Sequence, residues 1–306
     1  MQFNHLLMAG VSLVLACTPG ERARELTFDF RYSAIFENEG HLEAWVPIPS
    51  SNSVQTITRL HVETNLEFSL VEDTLYGNRM VYVNTRLNGP DTLSVTFRAH
   101  RKEAAGIPGD FSPREKELYL ASYRLVPLEA RFSDIADSIA ALPGDFGRGV
   151  YEYILAHMTY DKSGPGWGRG DANYACDVGK GNCTDYHSLF NALVRSHQVP
   201  ARFHIGFPIP EGREGSVSGY HCWTEFYLDG QWIPVDISEA DNNSERQDYY
   251  FGHLDERRVD FSIGRDIPLP LGGHDDVVNF LVYPYVKIDQ RVTQEYATRF
   301  TYQVVD

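Results

Sequence analysis

Three residues in the second half of the chain could do nucleophilic chemistry together: Cys183, His221 and Asp236. Asn182-Cys183-Thr184 opens a helical pattern in which Tyr186, Leu189, Phe190, Leu193 and Val194 recur at i, i+3, i+4, i+7 and i+8. A thiol at a helix start meets unpaired backbone N–H groups and the positive end of the helix dipole, which favour its thiolate. A lone cysteine there is more commonly inert core, so the reading depends on what lies downstream. His221–Ser238 (HCWTEFYLDGQWIPVDIS) has the pattern of a hairpin around Asp229-Gly230. That turn pairs Leu228 with Gln231 and, by extension, Trp223 with Asp236. Alternation then puts His221 on the face of Trp223 and Asp236, as a diagonal neighbour of the acid at about 7–8 Å. The opposite face carries Cys222, Thr224, Phe226, Leu228, Ile233, Val235 and Ile237, mostly apolar and suited to a core. A carboxylate that orients an imidazole, and an imidazole that activates a thiol, make a Cys–His–Asp acyl-transfer site.

The elements that must position these groups are legible around them. Phe146–Thr159 reads as a helix, and the next stretch is turn-rich, with Gly164-Pro-Gly-Trp-Gly-Arg-Gly170, Tyr174-Ala-Cys176 and Gly179-Lys-Gly181. The order GxxxxGK[S/T] is absent, so this is not a phosphate loop. In the front half, Glu25–Ile35, Leu42–Val46, Ile57–Val62, Met80–Leu87 and Leu93–Ala99 alternate with period two, and turn formers separate them. Short strands at that spacing favour an antiparallel sandwich. Glu103–Pro113 (EAAGIPGDFSP) has the composition of a linker. Asn279–Val305 alternates again and is expected to add two strands to the sheet of the back half.

At Gly181-Asn-Cys183-Thr-Asp-Tyr-His-Ser-Leu-Phe190, Val199-Pro-Ala-Arg202 with Gly206, His221-Cys-Trp-Thr-Glu225 and Trp232-Ile-Pro-Val-Asp236, the chain resembles the transglutaminase-like superfamily of papain-like thiol enzymes. The resemblance implies an α+β fold in which a Cys-bearing helix packs on an antiparallel sheet carrying the His and Asp. It puts nucleophile, base and orienting acid on Cys183, His221 and Asp236. It implies acyl transfer from an amide through a thioester, with no organic cofactor and a protein or peptide as substrate. Hydrolysis of a peptide or amide is the expected outcome, with glutamine transamidation (cross-linking) as the alternative acceptor chemistry. The oxyanion is expected to meet the Cys183 N–H and one side-chain donor, with Trp167 and Tyr174 as candidates. The expected organisation is a signal peptide over 1–16, a β-sandwich over 17–110 and the catalytic domain over 111–306.

Other readings compete. Cys183 and His187 lie four apart on a helix, with Cys176, His221 and Cys222 nearby, which would suit a Cys/His metal site. No CxxC or HxxxH pair supports it, and Cys222 should point away from His221, so the expected metal content is none. Cys176 and Cys222 could instead pair as a disulfide, or be buried core. A catalytically silent binding module on the same fold is a third reading, opposed by the intact triad. Leu6–Ala16 is an apolar run too short to span a bilayer, and it ends at Leu15-Ala16-Cys17. This resembles a bacterial lipoprotein signal. Cys17 would carry the lipid, anchoring the chain to a membrane of the bacterial cell envelope, periplasmic or on the outer face. With 27 Lys+Arg against 42 Asp+Glu and a net charge of −15, a nucleic-acid partner is excluded. Four cysteines in 306 residues are too few for a disulfide scaffold.

Overall fold

The computed structural model describes residues 23–273 and 276–305, so the apolar leader and Cys17 lie outside the described residues. The fold is α+β and mostly antiparallel, with 42% strand against 23% helix.

The front of the chain forms two five-stranded sheets. The first runs Glu214–Ser216, Tyr296–Val304, Glu25–Phe36, Asp91–Lys102, Gln55–Glu63; the second runs Arg291–Thr293, Tyr285–Ile288, Gly40–Ile48, Arg79–Leu87, Phe68–Glu72. Alternation makes each inner face apolar, as in Glu25–Phe36, where Phe28, Phe30, Tyr32, Ala34 and Phe36 are all buried. The expected boundary at residue 111, with everything after it in a catalytic domain, fails for the closing strands. Tyr285–Ile288 pairs with Gly40–Ile48, and Tyr296–Val304 pairs with Glu25–Phe36, so both belong to the front sheets. Alternation identifies a strand but carries no information about which sheet accepts it. The expected linker is also structured: Ala104–Ala105 pairs with His253–Leu254, and Ile107–Pro108 forms an edge of the rear sheet.

That rear sheet runs Arg258–Ile263, Ala201–Pro208, His221–Leu228, Gln231–Val235, Ile107–Pro108. Its hairpin has the register read from the Asp-Gly turn, Leu228 opposite Gln231 and Thr224 opposite Val235. The face bearing Thr224 and Phe226 covers helix Cys183–Ser196: Thr224 donates to Asn191 Oδ1 (2.6 Å), and Phe226 packs on Phe190 with ring centroids 5.6 Å apart. Helices Ala130–Ala140 and Phe146–His157 close the helix's other sides. Consequently every residue from Cys183 to Arg195 is buried, not only the apolar stripe. The polar residues survive burial because they are bonded: Arg195 donates to the Ala201 carbonyl, and Ser188 to the Thr184 carbonyl. One hydrophobic cluster runs from the sandwich (Phe28, Phe30, Phe97) into the rear sheet (Phe203, Phe207, Phe261) and reaches Cys183 and Cys222.

Candidate active site

Helix Cys183–Ser196 begins with a capping box. Asn182 Oδ1 accepts from the Thr184 N–H at 3.0 Å, and Asp185 Oδ2 accepts from the Asn182 N–H at 3.0 Å. Cys183 thus occupies the first helical position, where its own N–H has no intrahelical acceptor. Asp185 does more than cap. Its two carboxylate oxygens also accept from the Gly168 N–H (2.6 Å) and the Gly170 N–H (3.0 Å), stapling the glycine-rich loop to the helix start. A side chain at residue 181 would collide with this carboxylate, so the position requires glycine.

His221 opens its strand, opposite Gly206. At Gly206 the pairing with Arg258–Ile263 shifts register, and a Cβ would be driven into the Val259 carbonyl oxygen. Asp236 stands just past Val235, at the N-cap of helix Ile237–Asn242, where it accepts from the Glu239 N–H. The diagonal is short enough to bond: His221 Nε2 lies 2.7 Å from Asp236 Oδ2, with the acid fully buried. Nδ1 is left to face Cys183, whose thiol is in hydrogen-bond contact with the imidazole. The structure therefore brings Cys183, His221 and Asp236 together.

Electrostatics favour an ion pair at rest. The Cys183 thiol is pulled down to about 5, first by the Cys222 S–H donating to it and then by His221 and the Cys222 N–H, against the opposing effect of burial. Burial alone would lower the pKa of His221, but Asp236 and the thiolate hold it well above its ordinary value. Asp236 is buried, which disfavours its charge, yet His221 and Arg258 hold it far below the usual carboxylate range. The result is a thiolate facing an imidazolium.

Sequence reasoning missed four participants. Arg258, fully enclosed, donates to Asp236 Oδ2 at 2.9 Å and to Asp255 at 3.1 Å. His187, weighed earlier as a metal ligand, accepts the Ile237 N–H at Nε2 (3.1 Å) and faces Cys222 Sγ with Nδ1 at 3.5 Å. Burial lowers its pKa to about 4, so it is neutral, with its proton on Nδ1. Among the described residues, no group of three or more His, Cys, Asp or Glu side chains is arranged to hold a metal ion. Cys222 stands beside the nucleophile, and burial raises its own pKa. Tyr220, whose hydroxyl accepts from Asn182 Nδ2 at 2.9 Å, packs with Phe280 and Tyr283 beside the thiol. The signals available were Asn182-x-x-Asp185 for the capping box and the sequence neighbours of His221; nothing pointed to Arg258.

The disulfide alternative falls away. Cys176 and Cys222 are both free thiols, and they are far from pairing: Cys176 meets Arg131, whereas Cys222 meets His187 and Cys183. Tyr174 packs its ring on Gly166, and its buried hydroxyl has no hydrogen-bond partner among the described residues. Trp167 is half-buried in the loop that Asp185 staples beside the helix start. A charged cleft of about 250 Å³, lined by Arg246, Tyr250, Asp255 and Arg257 among others, reaches His221. Among the described residues no helix is long and apolar enough to cross a membrane.

Comparison with known proteins places residues 134–237 on the family profile described as the transglutaminase-like superfamily. An uncharacterized protein of Haemophilus influenzae is 25% identical over 301 residues, covering 82% of each chain. The solved structure of a candidate cysteine protease from Cytophaga hutchinsonii superposes with a TM-score of 0.65, covering 92% of each chain at 15% identity. That likeness establishes a shared fold.

Proposed function

Because the segment 134–237 belongs to the transglutaminase-like superfamily, we propose that the protein is a thiol enzyme that cleaves a peptide or amide bond through a thioester on Cys183. The observation that carries the proposal is the buried Cys183–His221–Asp236 relay, with 2.7 Å between His221 Nε2 and Asp236. In this mechanism the Cys183 thiolate attacks the amide carbonyl carbon, and the electron pair moves onto oxygen. The Cys183 N–H and one side-chain donor, Trp167 or Tyr174, receive that oxyanion. The Nδ1 proton of His221 passes to the departing nitrogen, which leaves as the amine. Water then gives a proton to the same Nδ1 and attacks the thioester, releasing acid and thiolate. Asp236, held ionised by Arg258, keeps the imidazole oriented throughout.

Water is the acceptor in this reading, and a primary amine at the same step would give transamidation. Cys183→Ala should abolish turnover of peptide or amide substrates and formation of a thioester adduct detectable by intact mass. Persistence of activity in that variant would overturn the assignment. Adding a primary amine and weighing the product separates the two acceptors. The Leu15-Ala16-Cys17 run supports a second element of the proposal, a lipid-anchored chain in the bacterial envelope. Loss of membrane association in Cys17→Ala tests it.

A further inference from the structure

A second polar cavity, of about 280 Å³, lies between the front sheets and the rear sheet, on the face that carries Trp223 and Glu225. Its outer rim is the loop Ser51-Asn52-Ser53, exposed to solvent, and its inner wall holds Arg101, His204 and Asp260. Arg101 is 1% exposed, yet its guanidinium makes no hydrogen bond or ion pair among the described residues, and its Nε and Nη1 are buried orphans. Asp260 Oδ1, facing the same space, is an orphan too, whereas His204 Nε2 has Glu225 Oε2 3.4 Å away as an ion-pair partner.

The other charged groups around this space are held in direct ion pairs. Arg202 meets Glu225 at 2.5 Å, His204 Nδ1 meets Asp260 at 2.9 Å, and Arg258 meets Asp236 and Asp255. Arg101 is the guanidinium of this set that makes no direct ion pair among the described residues. A buried guanidinium whose donors are unmet is disfavoured unless something bonds to it. The unmet donors are those of the planar guanidinium, whose fork matches two carboxylate oxygens. Asp260 Oδ1, the unmet acceptor, suits a hydroxyl or amine on the same ligand.

We propose that this cavity is a binding site for a small carboxylate, held by one fork of Arg101. It shares no lining residue with the charged cleft that reaches His221.

The test is a ¹⁹F NMR titration of the full chain with trifluoroacetate, followed by displacement with acetate and, separately, with chloride. The expected result is a saturable perturbation, present in wild type and in Cys183→Ala, reversed by acetate and not by equal chloride. It should vanish in Arg101→Met. Arg101→Lys, which keeps the charge but loses the fork, should bind at least about tenfold more weakly, and it serves if the methionine variant does not fold. A perturbation that never saturates, that survives in both Arg101 variants, that chloride reverses equally, or that requires Cys183 would overturn the proposal.

Discussion

Cys222 follows His221 in the chain, yet its thiol serves Cys183. His187 fixes this role: Nε2 is occupied by the Ile237 N–H, so its single proton sits on Nδ1 and points at Cys222 Sγ. That leaves the Cys222 proton free to lean on the Cys183 thiolate. Iodoacetamide labelling of Cys183 should therefore be nearly flat above pH 6 and fall away with a midpoint near 5. Cys222→Ala should move that midpoint up by about 1–2 pH units, the worth of one hydrogen bond to a charged group. An unchanged midpoint would show that the thiol donor contributes nothing. Arg258 acts on the other end of the relay. Arg258→Met leaves Asp236 with one cation fewer in a buried site, and urea denaturation should report a loss of about 3 kcal/mol. Its role was illegible in the sequence because it lies 22 residues from Asp236 and reaches it across the strand pairing at the Gly206 bulge. The His–Asp pair was legible because an Asp-Gly turn sets the register of everything beside it.

At the scale of elements, the helix start and the glycine-rich loop form one unit through Asp185. Four glycines in seven residues, Gly164 to Gly170, would leave this loop loose on its own. Two of their amides instead end on a fully buried carboxylate. Asp185→Ala should expose the Gly168 and Gly170 amides to hydrogen exchange, while the helix interior past Leu189 stays protected. The cost should be about 1–3 kcal/mol for each buried donor left unmet. Equal loss of protection throughout the helix would mean that Asp185 holds the fold rather than the loop. The residues of the capping box were readable from spacing, but the loop's attachment was not, because a hydrogen bond from a backbone amide leaves no trace in side-chain pattern. The all-round burial of helix Cys183–Ser196 was hidden for a similar reason: Asn191 and Arg195 look like surface residues until their partners are known.

For the molecule as a whole, one core joins sandwich and rear sheet, so the two are expected to unfold together. The charged layer on the rear face gives that unfolding a pH dependence. Burial would lower the pKa of His204, but Glu225 and Asp260 overcome it and raise the group to about 9. A group whose folded pKa is raised stabilises fully below its unfolded value of about 6.5, and that contribution disappears as pH climbs to about 9. The melting temperature should fall across this interval, with on the order of 2 kcal/mol lost. His221 shifts in the same direction, so the informative comparison is with His204→Gln, in which the decline should be shallower. Identical slopes would remove His204 from the account. The strands of the sandwich were readable one by one, whereas the shared core was not, since an apolar face carries no mark of what will cover it.

The pairing of Tyr296–Val304 with Glu25–Phe36, nine residues against nine, also constrains the order in which the protein can be made. A ribosome that has just finished Asp236 has released every group of the relay but not the strand that zips onto the first one. Until it emerges, Phe28, Phe30 and Tyr32 wait on an open sheet edge, and the shared core that reaches Cys183 stays incomplete. The three residues of the relay are thus synthesised before their environment exists, and the lowered pKa of the Cys183 thiol waits on the strand Tyr296–Val304.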